Sequence, residues 1–336
     1  MEFKHPFGVS SNIRKETPCV FIKIEAENRI GYGEACLPIY LGEKVEETLL
    51  FFKKSKELFR NYDPTLPLNF FLNEVDRLAT GHHAAKAAID IALHDLYGKI
   101  LNKTYSQMMG IPKSKPRATS FTIGIDKEEL MEQKIKEADA FSILKIKAGT
   151  TQDKELITRI RKFSDKPLYV DVNQGWKEKE FVLEMIHWMS EQNVLLIEQP
   201  MATDRIDDMA WVTEQSPIPT IADESAKRLS DLEHLEEVFS GINIKLMKCT
   251  GLREAVRMIN FCKRKDLKIM LGCMAESSCA TTAMAQLMQF ADFVDLDAPQ
   301  LYTNDPFIGL KYDKGRVVLN DLPGLGIAPN PEFLSF

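Results

Sequence analysis

The chain has 336 residues, 44% apolar and 27% charged, with a formal net charge of −6 and a sequence pI near 5.7. This composition indicates a globular protein, and the acidic balance without a basic run argues against nucleic acid as the main partner. The start, MEFKHPFGVSSN, lacks the apolar segment of a secretory signal, and no run approaches the roughly 18 apolar residues of a bilayer span. Six scattered cysteines without CxxC spacing indicate reduced, mostly buried thiols rather than a Cys/His metal site. We therefore expect a cytoplasmic protein without nucleic-acid or membrane partners; the oligomeric state, including a homo-oligomer, is left open.

Residues 1–115 have the pattern of an α+β unit. The stretch CVFIKIEAENRIGYGEA has apolar residues on alternate positions and predicts two strands joined by a turn at Glu27 and Asn28. Two segments with helical periodicity follow, KVEETLLFFKKSKELF and HHAAKAAIDIALHDLYGKIL, and the second is apolar on nearly all sides. We expect the second helix to be buried, with His94 as a packed core residue.

From Thr119 onward, strands and helices alternate regularly. Short apolar runs end in TSFTIG, SILKIK, PLYVDVN, VLLIEQP, TIADES, INIKLMK, KIMLGCM and DFVDLDAP, and from the second strand on their ends recur at steps of 22 to 27 residues. Eight strands at this spacing predict an α/β protein with a parallel (β/α) barrel over residues 116–310. A doubly wound open sheet also alternates in this way, but the glycine-rich phosphate loop expected after its first strand is missing. The C-terminal GRVVLNDLPGLGIAPN lacks a helical pattern, so residues 311–336 are expected to return and complete the N-terminal unit.

Charged residues end most of these strands, in the order Lys147, Asp171, Glu198, Asp223, Lys245 and Asp295. Barrel enzymes carry their chemistry at the C-terminal ends of the strands. Any single Asp there could equally cap the following helix. Three carboxylates on successive strands, however, would repel one another unless a cation lay between them. Oxygen-only ligands favour Mg²⁺, with Mn²⁺ as the second choice, at Asp171, Glu198 and Asp223, and Asn173 is a further candidate as a ligand or a support for the ligands.

Two lysines stand two positions apart in FSILKIKAG, so Lys145 and Lys147 share a strand face with Ile143. Each ammonium makes the other harder to protonate, so one of the pair is expected to be neutral and to act as a base. The alternative is a lysine pair held by internal carboxylates. On the other side of the barrel, Lys245 ends the sixth strand and would approach a bound substrate from the opposite face. This arrangement suits removal of a proton from a carbon beside a carboxylate and its return to the other face, through an enediolate that a metal stabilises.

Lys248 competes with Lys245 for the role of second base in INIKLMKCTG. By alternation, Lys245 points with Asn243 and Met247, whereas Lys248 lies beyond the expected end of the strand. We therefore assign the second base to Lys245.

The motifs LKIKAG, DVNQGW, LIEQP, IADES and INIKLMKCTG resemble successive strand ends of the enolase superfamily, in its muconate-lactonising subgroup, and IGYGEA and AAKAAIDIALHDLYGK resemble its capping domain. The resemblance covers nearly the whole chain. It implies a (β/α)7β TIM-like barrel with an α+β capping domain built from both chain ends. It also implies Mg²⁺ at Asp171, Glu198 and Asp223, Lys147 and Lys245 as the acid and base, and Lys145 as support for Lys147.

The eighth strand discriminates among functions within this subgroup. FVDLDAP supplies Asp295 and Asp297, which face the same side by the period-two rule and resemble the D-x-D signature of dipeptide epimerases. In those enzymes the two carboxylates hold the α-ammonium of the substrate, and Thr122 resembles a substrate-contacting position on the first strand. The resemblance thus implies a dipeptide substrate such as L-Ala-D/L-Glu, inverted at the α-carbon of its C-terminal residue, with a role in recycling murein peptides. Helix capping or a salt bridge at the barrel rim is the alternative role of the two aspartates.

Two features depart from the family pattern. Family members usually have a further strand before the segment matching Pro6 and Phe7, so either the capping sheet is one strand short or the start lies upstream. Epimerases for Ala-Glu usually carry an arginine in the following loop, and this chain has Asn12 there, with Arg14 and Lys15 nearby. Glutamate is the first choice for the second residue of the substrate, and a hydrophobic or broader preference is the alternative.

Other functions fit the residues less well. An o-succinylbenzoate synthase would share both lysines and the three metal ligands, but its substrate has no ammonium group to explain Asp295 with Asp297. Mandelate-type racemases use a histidine on the seventh strand, which here ends in LGCMAESS, and the six histidines of the chain all fall outside the strand ends. A binding scaffold without catalysis would not need both lysines.

Overall fold

The computed structural model describes residues 1–9, 12–38, 41–60, 67–124 and 128–333. Its N-terminal part comprises the strands β1 (Glu2–Val9), β2 (Asn12–Glu16), β3 (Cys19–Ala26) and β4 (Arg29–Cys36) and the helices α1 (Val45–Arg60), α2 (Leu68–Arg77), α3 (His83–Leu101) and α4 (Tyr105–Met109). β1 pairs with β2 and β3 with β4, both antiparallel. The predicted turn between β3 and β4 is confirmed, since Glu27 and Asn28 adopt positive φ angles of 50° and 56°.

Helix α3 is buried on nearly all sides, as its sequence predicts, and His94 is only 3% exposed. Strand β4 lies directly against it because two of its residues lack a side chain. A Cβ atom at Gly31 would lie 2.1 Å from the carbonyl oxygen of Ala92, and one at Gly33 would lie 1.9 Å from that of Ala88. The glycines of IGYGEA are therefore required by the close contact between strand and helix.

The second part of the chain alternates strands with helices. Its strands are β5 (Arg117–Ala118), β6 (Ser120–Ile123), β7 (Ile143–Lys147), β8 (Leu168–Asp171), β9 (Val194–Glu198), β10 (Thr220–Ala222), β11 (Gly241–Ile244), β12 (Lys268–Gly272) and β13 (Phe293–Asp295). Its helices are α5 (Glu128–Glu137), α6 (Asp153–Arg161), α7 (Lys179–Ser190), α8 (Ile206–Gln215), α9 (Leu229–Leu232), α10 (Leu246–Cys249), α11 (Leu252–Arg264) and α12 (Ser278–Ala285), with 3₁₀ turns at Met288–Phe290 and Ala298–Leu301. Within the described ranges, no helix combines the length and the apolarity that crossing a bilayer requires.

Strands β6 to β13 form one eight-stranded parallel sheet in sequence order. Side chains join its two edges: Thr119 Oγ1 accepts a hydrogen bond from the Leu296 amide at 2.8 Å, and Ser120 Oγ donates to Asp295 Oδ1 at 2.6 Å. The sheet is therefore a nearly closed barrel, and the predicted TIM-like fold with its N-terminal capping part is confirmed.

The C-terminal segment adds the short strands β14 (Phe307–Ile308), β15 (Lys311–Asp313), β16 (Arg316–Val318) and β17 (Ala328–Pro329). Two hydrogen bonds link this segment to the N-terminal part: the Leu325 amide donates to Asp95 Oδ1, and the Tyr105 amide donates to the Gly324 carbonyl oxygen. The division into residues 1–115 with 311–336 and residues 116–310 stays a prediction.

Two carboxylates of the N-terminal part reach across to helices of the barrel. Glu34 accepts hydrogen bonds from the Ser277 and Ala280 amides at the start of α12, at 2.9 and 3.1 Å. Asp90 accepts one from the Leu252 amide, the first residue of α11, at 2.7 Å. Both barrel helices thus receive some of their N-terminal hydrogen-bond acceptors from the capping part.

Candidate active site

Four of the six charged residues predicted at the strand ends lie in one layer inside the barrel, and Lys145 lies there with them. Below them is an apolar layer formed by Tyr169, Leu196, Ile221 and Met270, against which Ile143 and Phe293 pack. The charged layer lies two positions further along each strand, because side chains that face inward recur at every second residue. It contains Lys145, Asp171, Glu198, Asp223 and Asp295, and Gly272 occupies the corresponding position on the seventh strand. All five charged side chains are buried. We call Asp171, Glu198 and Asp223 the strand-end carboxylates.

Lys145 lies among three acidic side chains. Its Nζ is 2.7 Å from Glu198 Oε2, 2.7 Å from Asp295 Oδ2 and 3.0 Å from Asp171 Oδ2. Burial disfavours the ammonium form, but Asp171, Asp295 and Glu198 together raise the pKa of Lys145 well above its ordinary value. The three carboxylates thus favour the ammonium form of Lys145, and its contacts match the alternative in which internal carboxylates hold this lysine.

Lys147 occupies a more open position on the same strand face. Its Nζ lies 2.6 Å from Asp171 Oδ2, and its side chain is 12% exposed, compared with 2% for Lys145. Burial alone would favour the neutral form of Asp171, but the Lys145 and Lys147 ammonium groups lower its pKa to about 2. The two ammonium groups thus favour the carboxylate form of Asp171, and Lys147 is the more exposed of the two lysines on β7.

Two lysines that follow the sixth strand bind Asp223, one to each carboxylate oxygen. Lys245 Nζ is 2.7 Å from Oδ2, and Lys248 Nζ is 2.5 Å from Oδ1 and 2.9 Å from the Asn243 carbonyl oxygen. Despite burial, Lys245 and Lys248 lower the pKa of Asp223 below its ordinary value. Lys245 directly follows β11, and its Nζ also lies 3.7 Å from Glu198 Oε1. Lys248 lies beyond the strand, as expected, and is 1% exposed.

Glu198 stands between the two groups of lysines. Its Oε1 accepts a hydrogen bond from Asn243 Nδ2 at 2.8 Å, whereas Lys145 Nζ approaches Oε2 at 2.7 Å without hydrogen-bond geometry. Burial and the neighbouring Asp171 charge raise the pKa of Glu198. Gly272 leaves room for Asn243, because a Cβ atom there would lie 2.6 Å from Asn243 Oδ1. This explains why the seventh strand contributes no charged group to the layer.

Asn173 supports the site from the loop after β8. Its amide N–H donates to Asp171 Oδ1 at 3.1 Å, and its Nδ2 donates to Glu224 Oε1 at 3.1 Å. Burial, with the Asp223 and Asp171 charges, raises the pKa of Glu224 to about 7. In this structure Asn173 contacts Asp171 as a hydrogen-bond donor.

Asp295 and Asp297 lie together at the closing edge of the barrel, but only the first belongs to a strand. β13 ends at Asp295, and Asp297 has the helical angles φ −102° and ψ −4°. The period-two argument for their common direction was therefore wrong for Asp297. Its Oδ2 accepts a hydrogen bond from the Thr122 amide at 2.6 Å, and burial and the nearby Asp295 charge raise the pKa of Asp297 to about 7.

The donor set of the strand-end carboxylates fits Mg²⁺. The three residues are buried and follow one another around the barrel on adjacent strands. They offer only oxygen atoms as ligands, which are the ligand atoms that Mg²⁺ prefers. The ammonium groups of Lys145 and Lys245 contact the same oxygens, so they compete with a cation for them. Bound there, Mg²⁺ would supply positive charge at the centre of the charged layer.

Another group of ligand-type atoms, outside the charged layer, has a structural explanation. Within the described ranges, the atoms of Cys19, Glu34 and Cys36 form the one group of three that lie within 4.8 Å of one another, and the strand-end carboxylates, whose oxygens contact lysine ammonium groups, do not form such a group. Both Glu34 oxygens already accept hydrogen bonds from the start of α12. We assign this cluster to the interface between the capping part and the barrel.

Sequence reasoning missed several partners of the predicted residues. Lys248 binds Asp223 from beyond the strand, and Glu224 accepts a hydrogen bond from Asn173. The alternation of side chains along the strands predicts neither Lys248 nor Glu224 as a partner. Asn243 had a signal in this alternation, because it was placed on the same face as Lys245. The side chain of Asn12 lies outside the described residues, so the predicted preference at the second residue of a substrate stays a prediction; Arg14 lies on β2.

Comparisons with known proteins cover the whole of this architecture. Residues 1–110 match the family described as "Mandelate racemase / muconate lactonizing enzyme, N-terminal domain", and residues 128–333 match "Enolase C-terminal domain-like". The chain is 47% identical over 328 residues to an L-Ala-D/L-Glu epimerase of Bacteroides thetaiotaomicron, which covers 97% of this chain and 85% of the relative.

Two solved enzyme structures have the same fold. A dipeptide epimerase of Enterococcus faecalis complexed with Mg and L-Leu-L-Tyr matches with a TM-score of 0.86 and 29% identity, over 97% of this chain and 96% of the other. An N-succinyl Arg/Lys racemase of Bacillus cereus matches with a TM-score of 0.90 and 29% identity, over 99% and 93%.

Proposed function

Since the chain belongs to the mandelate racemase and muconate lactonizing enzyme family of the enolase superfamily, we propose that it is a Mg²⁺-dependent dipeptide epimerase. This isomerase would invert the α-carbon of the C-terminal residue of a dipeptide. L-Ala-D/L-Glu is the first candidate substrate, and recycling of cell-wall peptides is its expected role. A dipeptide with a hydrophobic second residue is the alternative, in line with the L-Leu-L-Tyr bound by the Enterococcus faecalis enzyme.

One observation carries the proposal: Lys147 and Lys245 flank the strand-end carboxylates from opposite sides. Lys147 stands on β7, and Lys245 follows β11, with the three carboxylate-bearing strands β8, β9 and β10 between them. A group at the centre of the layer can therefore meet one amine on each face. A two-base inversion needs this placement, because the proton leaves one face of the carbon and a proton arrives at the other.

Each lysine has a defined task in this reaction. In one direction, a neutral Lys147 takes the α-proton, and protonated Lys245 delivers a proton to the opposite face; in the other direction their roles exchange. Asp171 and Asp223 hold the two amines at 2.6 and 2.7 Å, which fixes their directions. Mg²⁺ at the strand-end carboxylates would offset the negative charge that develops on the substrate carboxylate as the proton leaves.

Asp295 and Asp297 are proposed to receive the α-ammonium of the dipeptide. Both are buried at the edge where the barrel closes, and each also has a partner on β6: Ser120 for Asp295 and the Thr122 amide for Asp297. Two carboxyl groups at one end and a carboxylate-binding cation at the other suit a zwitterion. Thr122 would lie next to the first residue of the substrate.

The proposal is tested by hydrogen exchange at the α-carbon. The protein is incubated with Mg²⁺ in D₂O and a small library of L,L-dipeptides that includes L-Ala-L-Glu, and mass spectrometry follows the C-terminal residue. Uptake of one deuterium, with appearance of the L,D-dipeptide, is expected for the preferred side chains. No uptake from any dipeptide by a protein that binds Mg²⁺ would reject the proposal. It would favour a carboxylate substrate without an ammonium group, as for an o-succinylbenzoate synthase or for an enzyme like the N-succinyl Arg/Lys racemase of Bacillus cereus.

A further inference from the structure

We propose that Gln199 is a positioning residue that sets the spacing of the strand-end carboxylates and thereby the affinity of the site for Mg²⁺. It follows Glu198 directly at the end of β9 and is fully buried. The inference rests on the proposed function only for the identity of the cation, because the inferred role concerns metal binding and needs no substrate.

The side chain of Gln199 clamps the segment that follows β10. Its Oε1 accepts hydrogen bonds from the amides of Asp223, at 3.0 Å, and Ser225, at 3.2 Å. Its Nε2 donates to the Met201 carbonyl oxygen at 3.0 Å and to Ser225 Oγ at 2.9 Å. All four hydrogen-bonding positions of the amide are used, so the group has one orientation. The backbone of Asp223 is thereby tied to the residue next to Glu198.

The backbone of Gln199 makes a second link, to the loop that follows β8. Its carbonyl oxygen accepts a hydrogen bond from the Gln174 amide at 2.8 Å, three residues after Asp171. Its amide donates to the Ile221 carbonyl oxygen on β10 at 2.9 Å. One residue therefore connects the chain segments that carry all three strand-end carboxylates.

This connection uses uncommon backbone angles. Gln199 has φ 38°, and its partner segment includes Asn173 at 47° and Gln174 at 67°. Non-glycine residues seldom adopt positive φ, and such residues concentrate where surrounding contacts enforce them, often at functional sites. At Gln199 those contacts are the hydrogen bonds to the loops on either side.

Because the side chain of Gln199 is neutral, a substitution there can test the positioning of the carboxylates without changing the charge of the site. Replacing a lysine of this site would change both the charge of the site and its geometry, with opposing effects on cation binding. Gln199→Leu keeps the charge and nearly keeps the volume, but it leaves the Asp223 and Ser225 amides without their acceptor. Groups that orient metal ligands typically change metal affinity by about 10- to 100-fold when removed. A purely structural role would lower the melting temperature and leave the affinity unchanged.

The experiment measures Mg²⁺ binding to the full chain by calorimetry, without any dipeptide, together with the melting temperature. For Gln199→Leu we expect the dissociation constant of Mg²⁺ to rise about 10- to 100-fold. The matched control is Gln286→Leu, which removes a buried amide bonded to the Leu325 carbonyl oxygen away from the carboxylates and should leave the dissociation constant unchanged.

A folded Gln199→Leu variant that binds Mg²⁺ within twofold of the wild type would overturn the inference. If that variant does not fold, Ser225→Ala removes one of the two acceptors of Nε2 and leaves the Met201 carbonyl oxygen in place. An unchanged dissociation constant in Ser225→Ala overturns the inference in the same way. Wild-type protein that fails to bind Mg²⁺ would also overturn it. Wild-type protein that binds Mg²⁺ but exchanges no dipeptide proton would reject the epimerase and leave the role of Gln199 intact.

Discussion

Lys147 and Lys245 are each bonded to their own strand-end carboxylate, Lys147 to Asp171 at 2.6 Å and Lys245 to Asp223 at 2.7 Å. Glu198 lies on the strand between those two carboxylates. The pairing keeps the two amines apart and directs each from its own side of the barrel toward the centre of the layer. The proposed two-base reaction requires this separation, because each amine must act on its own face of the α-carbon.

Replacing either lysine should abolish epimerisation. In Lys147→Met or Lys245→Met one face of the α-carbon has no acid or base, and a positioned acid–base group contributes about 10²- to 10⁴-fold to a rate. We expect at least a 10²-fold loss of turnover in circular dichroism assays, with the fold retained. Lys268→Met, at a half-exposed lysine on the far end of β12, serves as the control. Full activity in either active-site variant would refute the assignment of two bases.

Asp297→Asn should weaken binding of the dipeptide more than it slows the reaction. The substitution removes a buried carboxyl proposed to receive the ammonium group, and charged hydrogen bonds of this kind contribute about 1.5 to 3 kcal/mol. We therefore expect kcat/KM to fall about 10- to 100-fold, mostly through KM, while Asp313→Asn on β15 changes neither value. An unchanged kcat/KM in Asp297→Asn would remove the ammonium clamp from the mechanism.

Mg²⁺ should stabilise the native protein against heat. A ligand that binds only the folded state, at about 100 times its dissociation constant, adds about 2.7 kcal/mol to the free energy of unfolding. The melting temperature should rise with Mg²⁺, fall again with EDTA, and respond far less in Asp171→Asn; NaCl at equal ionic strength is the control. A melting temperature of the wild-type protein that does not change on addition of Mg²⁺ would argue against a metal at the strand-end carboxylates.

The stability of the protein should decrease as the pH rises from about 5 to 8. Burial and the nearby Glu34 raise the pKa of Glu276 to about 8 from a usual value of 4.5, and burial raises the pKa of Glu34 to about 7. A carboxyl group whose pKa is higher in the folded chain than in the unfolded chain stabilises the folded state. This contribution is fully present at a pH below the pKa of the unfolded chain, and it is lost as the pH rises through the pKa of the folded chain. Glu276→Gln should therefore have a melting temperature that depends less on pH, and a slope identical to that of the wild type would contradict the prediction.

Alternation along single strands predicted much of the fold and the membership of the charged layer. Ile143, Lys145 and Lys147 share a face because the period of two is a property of the strand itself, and the steps of 22 to 27 residues reflect one strand with its helix. Which residues of the charged layer form hydrogen bonds or ion pairs with one another depends on distances across the barrel. Sequence alone could not predict that Lys145 would contact Asp295, 150 residues away.

Residues just outside strands were the least predictable part of the site. Asp297 was expected to continue the alternation of β13, but the chain turns into a 3₁₀ helix after Asp295. Lys248 sits in the short helix α10 and still reaches back to Asp223, since a lysine side chain is long enough to span one turn. Turn geometry and side-chain reach, unlike strand periodicity, leave little trace in the local sequence.

The hydrogen bonds from Glu34 and Asp90 to the starts of α12 and α11 have a consequence for protein engineering. Separating the two parts of the chain would leave buried amides without acceptors on the barrel and buried carboxylates without donors on the cap. A chimera that joins this barrel to the cap of a relative must therefore keep both acceptors, because without them the hydrogen bonds between the cap and the starts of α12 and α11 cannot form. Any exchange of the cap therefore also exchanges Glu34 and Asp90, the two residues that bind the starts of these barrel helices.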